Sequence, residues 1–231
     1  MAPSTTRTAP PRSGASSFRV QRWVFAFGCG TFILVSYLVI ADWNLSRFAA
    51  GTPPIRLETW LDRRIPFVPQ AFWIYVGYYL IAISPAWLAR RWSDFKPMVT
   101  SYGVATALAW VAWVAVPVRM IPPPLDCGGF TCRVLLRFID ADGGVNVFPS
   151  MHVAHSMLAA LFHLRQRSPA RWLVLVGALG VTASTVLIRQ HYVVDIPAGV
   201  AAAAIGWFAA LPVMTPRDSG MPVSSESRCA P

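Results

Sequence analysis

Two short segments carry the residues from which chemistry could be built. One is Asn146-Val147-Phe148-Pro149-Ser150-Met151-His152-Val153-Ala154-His155. The other is Arg189-Gln190-His191-Tyr192-Val193-Val194-Asp195-Ile196-Pro197-Ala198-Gly199. In the first, Pro149 disfavours a helical conformation at Phe148 and suits the first position of a helix. The backbone N–H groups of Ser150, Met151 and His152 then lack intrahelical partners, and such a terminus attracts a phosphate. Ser150 adds a hydroxyl donor, and His152 stands about one turn in, within reach of a bound group. In the second segment, His191 and Asp195 are four residues apart and share a face if both are helical. A carboxylate bonded to an imidazole fixes its tautomer and makes it a better nucleophile or base. Arg189 supplies a fixed positive charge able to hold two phosphate oxygens at once. Taken alone, an interfacial His–Asp pair is as readily structural as functional. Both segments together, with Arg189, point to a catalytic site.

The remaining histidines read differently. His155 lies one turn after His152, which would allow a two-histidine metal site. No acidic third ligand accompanies it, so packing or hydrogen bonding is the expectation and no metal is assigned. His163 falls near the far end of the same segment and reads as a surface residue.

The elements that must position these groups are membrane helices. The 231 residues suit one domain, and the chain is 55% hydrophobic and only 13% charged, a balance of membrane proteins. A bilayer core of ~30 Å needs ~20 apolar residues per helix. Six segments approach this: Trp23–Ala41, Ala71–Ala89 with a kink at Ser84-Pro85, Met98–Val116, Pro149–Leu164, Trp172–Ile188 and Ile196–Met214. The fourth and fifth are short and rich in small residues, which places them inside the bundle. The domain reading is a disordered cytoplasmic arm over 1–22, a six-helix catalytic domain over 23–214 and a cytoplasmic tail over 215–231. Trp23, Trp43, Trp73, Trp92 and Trp172 fall at span ends, as an aromatic belt does.

The net charge of +10 comes from arginines set between apolar runs rather than in one polar patch, which argues for topology determinants and against a nucleic-acid partner. Arg7, Arg12, Arg19 and Arg22, then Arg90, Arg91 and Lys96, then Arg165, Arg167 and Arg171, then Arg217 and Arg228 all fall on one side of six spans. That side is the expected cytoplasm, although the outward connections also hold Arg47, Arg56, Arg63, Arg64, Arg119, Arg133 and Arg137. Both chemical segments then face outward, across the inner membrane of a cell. The outward connections are Asp42–Gln70, whose Ile55–Ile65 stretch has the spacing of a helix lying in the interface, Pro117–Phe148 with Pro122-Pro123-Pro124, and Arg189–Asp195. Cys127 and Cys132 share the second connection. They form a disulfide there or remain two free thiols. Cys29 reads as a buried thiol, and Cys229 belongs to the tail.

At Phe148-Pro149-Ser150-Met151-His152-Val153-Ala154 and Arg189-Gln190-His191-Tyr192-Val193-Val194-Asp195 the sequence resembles the type 2 phosphatidate phosphatase superfamily. The resemblance is nearest its branch of inositol phosphorylceramide and sphingomyelin synthases. It implies an all-α, six-transmembrane-helix bundle and a role for each residue. His191 would take the phosphoryl group, Asp195 would orient it, and His152 would protonate the leaving oxygen and then activate the acceptor. Ser150 and Arg189 would hold phosphate oxygens. No metal or organic cofactor is implied. The superfamily's phosphatases carry a Lys-to-Arg-Pro motif that is missing here, and Arg119 is the nearest candidate for its phosphate-binding part. Ser184 and Thr185 stand where those phosphatases have Ser-Arg, which favours the synthase-like branch. The implied partners are the bilayer, a lipid phosphate substrate and, for a transferase, an alcohol acceptor. Hydrolysis and headgroup transfer both stay open, as does a non-catalytic transporter or assembly factor that keeps a phosphate site.

Overall fold

The computed structural model describes residues 13–122, 125 and 127–214; among these it is helical, with one isolated bridge between Ile55 and Val118 and no other β-pairing. In chain order the helices are α1 (Ser13–Ala49), α2 (Trp60–Arg64), α3 (Phe72–Val76), α4 (Tyr78–Ile83), α5 (Trp92–Ala115), α6 (Gly129–Asp142), α7 (Met151–Arg165), α8 (Arg171–Leu187) and α9 (Asp195–Ala210). All six apolar segments expected from the sequence are helical: α1, α3 with α4, α5, α7, α8 and α9. Phe18–Ala49, Trp92–Ala115 and Asp195–Val213 are each long and apolar enough to cross a membrane. The chain is an all-α membrane bundle.

The bundle is organised around α7. It packs against α4, α5, α8 and α9, and Val153, Ala154, Leu158 and Ala159 on it are fully buried. A helix covered by protein on all sides is apolar all round. Its 15 residues are fewer than a lipid-facing span needs, because neighbouring helices rather than lipid surround it.

α5 packs closely on α9. Ala105 and Ala109 meet Ala202 and Ala203 in one buried cluster. A Cβ on Gly206 would overlap the carbonyl oxygen of Ser101. Lipid tails are as apolar as leucine, so helices in a bilayer associate through close backbone approach and dispersion, which small residues permit.

The outside is apolar as well. Phe27, Phe32, Leu38 and Val39 of α1, Leu173 and Val176 of α8, and Ile205 and Phe208 of α9 are exposed, as a lipid-facing surface requires. Exposed tryptophans mark two levels, with Trp43, Trp60 and Trp73 at one end and Trp87, Trp92 and Trp172 at the other.

Several expectations change. The second span is broken twice: at Gly77, between α3 and α4, and at a 3-10 turn over Ser84–Trp87, where a single kink was expected. The Pro117–Phe148 connection contains α6, an amphipathic helix with Cys132 and Leu135 buried and Phe130 exposed. Its apolar stripe was hidden by Arg133 and Arg137. Only Trp60–Arg64 of the Ile55–Ile65 stretch is helical, because Ile55 pairs with Val118 instead. α8 is not interior, since Leu173, Val176 and Leu179 on it are exposed. His163 is buried, not on the surface, bonded to Ser84 Oγ at 3.0 Å and Ser168 Oγ at 3.1 Å. Cys29 is only partly buried. Residues 13–22 of the expected N-terminal arm belong to α1. Residues 1–12 of that arm, Pro123 and Pro124, and the tail from 215 onward with Arg217, Arg228 and Cys229 lie outside the described residues.

Close packing of α5 on α9 has a measurable consequence. Gly206→Leu forces these helices apart and should cost about 1–3 kcal/mol, seen as a lower melting temperature in detergent. A Cβ on Gly103 of α5 meets nothing within 4 Å. Gly103→Ala should therefore be neutral or stabilise by about 0.4–1 kcal/mol. Equal melting of the two variants would contradict the packing described.

Candidate active site

The site is assembled where α8 ends, α9 begins and α7 begins. α8 closes in a Schellman turn, with Arg189 N–H donating to the Val186 carbonyl at 3.2 Å and Gln190 N–H to the Thr185 carbonyl at 3.0 Å. The turn needs a left-handed residue. Arg189 fills that position with φ of 59°, where glycine is usual and where other residues carry a cost of about 1–2 kcal/mol. His191 N–H also bonds the Thr185 carbonyl, at 3.1 Å. The chain then turns once more into α9, whose first residue is Asp195. Only Asp195 of the pair is helical, so this turn, rather than shared helical spacing, brings His191 to it.

The partners of His191 fix its tautomer. Nδ1 lies 2.9 Å from the Val147 carbonyl oxygen and 3.1 Å from Asp195 Oδ2. Both are acceptors, so Nδ1 carries the hydrogen and Nε2 keeps its lone pair. Nε2 faces Ser150 Oγ at 3.2 Å. Asp195 Oδ2 also accepts from Tyr192 N–H at 2.9 Å. His191, Asp195 and Ser150 are all buried.

Ser150 is the N-cap of α7, its Oγ accepting from Val153 N–H at 3.4 Å. The expectation that Pro149 opens this helix is corrected, because Met151 does, and Pro149 precedes the cap. Ser150 N–H points to the Asp195 carbonyl at 3.4 Å. Among the described residues, the N–H groups of Met151 and His152 then form the open terminus. Gly199 allows α9 to lie against this cap, since a Cβ there would sit 2.6 Å from the Ser150 carbonyl oxygen.

His152 is wedged between two tyrosines. Its ring stacks on Tyr75 at 4.2 Å between centroids and meets Tyr78 at 4.3 Å. Nδ1 is 3.4 Å from the Tyr75 hydroxyl, and Nε2 is buried with no partner among the described residues. The His152 and His191 ring centroids are 5.8 Å apart. His155 is placed differently. The Tyr78 hydroxyl meets its Nδ1 at 2.9 Å and Thr106 Oγ1 its Nε2 at 3.1 Å, so both nitrogens are taken up by hydrogen bonds.

The two arginines singled out from the sequence are more restrained than a free phosphate clamp. Arg189 donates through Nη1 to the Asp62 carbonyl and through Nη2 to the Ile65 carbonyl at 2.6 Å, leaving buried Nε without a partner among the described residues. Arg119 donates through Nε to the Gly143 carbonyl at 3.1 Å, and its own carbonyl accepts from the Tyr192 hydroxyl at 3.0 Å. Ser184 and Thr185 turn their hydroxyls onto carbonyls of their own helix, Val181 and Thr182, both at 2.7 Å.

Asp62, Asn44 and Asp142 are not among the residues singled out from the sequence. Asp62 is buried, accepts from Val193 N–H through Oδ1 at 2.8 Å, and accepts Thr59 N–H and hydroxyl through Oδ2 at 2.7 and 2.6 Å. With Arg189 it clips the α2 strap onto the His191–Asp195 turn. Thr59-Trp60-Leu61-Asp62 has the pattern of a capping box, the signal that could have found it. Asn44 Nδ2 bonds the Trp113 carbonyl and Asn146 Oδ1, and Asn146 Nδ2 bonds the Tyr37 carbonyl, which anchors the segment carrying Val147. Asp142, at the end of α6, accepts from the Tyr37 hydroxyl. Burial pushes its carboxyl above the ordinary range, and the tyrosine bond offsets part of that. Cys127 and Cys132 are joined as a disulfide at the start of α6. No group of three or more His, Cys, Asp or Glu is gathered for a metal among the described residues.

A family model described as the PAP2 superfamily matches residues 46–209. That range holds every site residue discussed above except Asn44 and Tyr37. The comparisons with curated proteins and with solved structures find no match.

Asp62→Ala removes an acceptor from three donors and should cost about 1–3 kcal/mol, whereas exposed Glu58→Ala should stay within about 0.5 kcal/mol. Thermal melting in detergent separates the two. Asp142 gives a pH signature. Its folded-state carboxyl binds a proton more tightly than the unfolded one, so its stability contribution is full in acid and is lost as pH rises through the raised value. Melting of the wild type should therefore fall relative to Asp142→Asn as pH climbs above the usual carboxylate range, the variant being the more stable near neutrality. Parallel curves would contradict the burial cost.

Proposed function

The chain belongs to the PAP2 superfamily, whose members are in general phosphatases and phosphotransferases, and from that premise we propose that it is a membrane lipid-phosphate phosphatase or phosphotransferase working through a phosphohistidine on His191. One observation carries this reading: His191 Nε2 keeps a lone pair beside Ser150 Oγ, across from His152.

In the proposed reaction, the Nε2 lone pair attacks phosphorus and the ester P–O bond breaks. The leaving oxygen takes a proton from His152. Asp195 and the Val147 carbonyl stabilise the charge that develops on the imidazole. The second half reverses the roles, with neutral His152 taking a proton from water or an alcohol as its oxygen attacks phosphorus and the N–P bond breaks. The Ser150 hydroxyl and the first N–H groups of α7 hold the equatorial oxygens. Arg189 and Arg119 contribute positive charge, Arg189 through its remaining Nε–H. This scheme assigns no step to a metal or organic cofactor.

The lipid would keep its tails in the bilayer while its headgroup reaches the mouth between α3, α7 and α9. We assign that mouth to the outer side of an inner membrane. Support comes from the excess of arginine and lysine in the segments assigned to the opposite side, which carry 12 of the chain's 20, and from the disulfide at the site end, which suits an oxidising compartment. Water as acceptor gives a phosphatase. An alcohol gives a headgroup transferase, which the synthase-like Ser184 and Thr185 favour.

Purified protein incubated with a panel of lipid phosphates, scored for free phosphate and for new phosphodiester with and without alcohol acceptors, tests both. His191→Ala and Asp195→Ala should each lower turnover by on the order of 10³-fold or more. His155→Gln should keep at least about a tenth of it, a loss of under roughly 1.4 kcal/mol in barrier. Wild-type turnover by His191→Ala would remove the nucleophile assignment. Failure to trap labelled phosphohistidine across the panel would favour a non-catalytic protein.

A further inference from the structure

At the bundle end opposite the candidate site, the start of α1 meets the α4–α5 connection around a cavity of about 470 Å³ lined by Phe18, Arg19, Arg22, Arg90, Arg91 and Trp92, with Ala89 behind them. Four arginines line it and, among the described residues, no acidic residue does. The nearby acid, Asp94, is already engaged. It accepts the backbone N–H groups of Arg90 and Arg91 at 2.7 and 3.1 Å and pairs with Arg91 Nε at 3.6 Å. Arg22 donates through Nη1 to the Ala89 carbonyl at 3.0 Å and lies over the Trp23 ring at 5.4 Å, while its Nε–H is buried without a hydrogen-bond partner among the described residues. A buried, unpaired donor on a cation is costly, and an anion in the cavity would relieve it. The walls are aromatic: Phe18 and Trp92 meet edge to face at 5.4 Å. This combination of arginine forks and an apolar, membrane-level rim matches a phosphate carried on a hydrocarbon body.

We propose that this cavity binds the phosphate of an anionic phospholipid in the leaflet opposite the candidate active site. The site is separate from the catalytic one and does not depend on which reaction that one performs. Arg22 and Arg90 supply the phosphate contacts, and Phe18 and Trp92 pack against the glycerol and upper acyl chain.

The test titrates full-length protein in mild detergent separately with phosphatidylglycerol, phosphatidylcholine and inorganic phosphate, counting bound adducts by native mass spectrometry. Phosphatidylglycerol should be retained over phosphatidylcholine. The double variant Arg22→Gln with Arg90→Gln should reduce that retention about tenfold, as loss of charge-assisted contacts implies. Arg171→Gln, a cation at the same end outside the cavity, should not. Should the double variant fail to fold, Arg90→Gln alone, an exposed side chain, should still weaken retention measurably. Arginine-dependent uptake of inorganic phosphate without the lipid would identify a free anion as the occupant and overturn the lipid assignment. Unchanged retention in the double variant, an equal loss with Arg171→Gln, or no adduct with any probe would overturn the site itself.

Discussion

The hydrogen on His191 Nδ1 is shared between the Val147 carbonyl and Asp195 Oδ2, and two separate chain segments have to converge for it to be shared. Were Val147 displaced, the imidazole would lose one of two acceptors. Were α9 to start elsewhere, it would lose the other. With both present the ring cannot flip tautomer without placing two acceptors against a bare lone pair, an arrangement that costs more than the weak bonds it would replace. Much of the polar structure at this end of the bundle reads as support for that one arrangement. Asn44 and Asn146 hold the Val147 segment against α1 and α5, Asp62 holds Val193 midway along the turn, and Ser150 ties its own N–H to the Asp195 carbonyl.

The two ends of the molecule solve different problems. Below the site, α5 and α9 meet through Ala and Gly, and the buried histidines His155 and His163 are paired with hydroxyls. At the mouth, buried polar groups outnumber what regular helices can satisfy, and side chains close the gaps. The aromatic wedge around His152 belongs to both. Tyr75 and Tyr78 come from either side of the Gly77 break, so the interruption that makes the second span irregular also brings two rings onto one imidazole.

The sequence was informative where residue type and short-range spacing carried the signal. His191 with Asp195, and Ser150 with His152, could be named because each pair lies within one turn of the chain and has no apolar role. The six apolar stretches could be placed because a bilayer sets their length. What stayed hidden depended on long-range geometry. The direction of the Arg189 side chain follows from the α2 strap, more than a hundred residues away. Asp62 looked like one charge among Arg63, Arg64 and Glu58, and only its burial sets it apart. His163 reads as a surface residue because it falls near the end of its segment, yet the helix turns it inward toward Ser84. α6 is hard to see in the sequence because Arg133 and Arg137 interrupt its apolar stripe and the prolines and Gly128-Gly129 at its start read as loop.

The join between α8 and α9 has a consequence for how such a chain can vary. Left-handed Arg189 reverses direction, and within the next few residues the backbone has bonded back to Thr185 and forward into the first turn of α9, leaving no slack. One inserted residue would rotate Asp195 by about 100° around its helix axis and carry the carboxylate away from the imidazole. The length of this join is therefore as much a chemical requirement as the identity of the residues in it, and divergence in related chains should accumulate by replacement there, never by insertion or deletion.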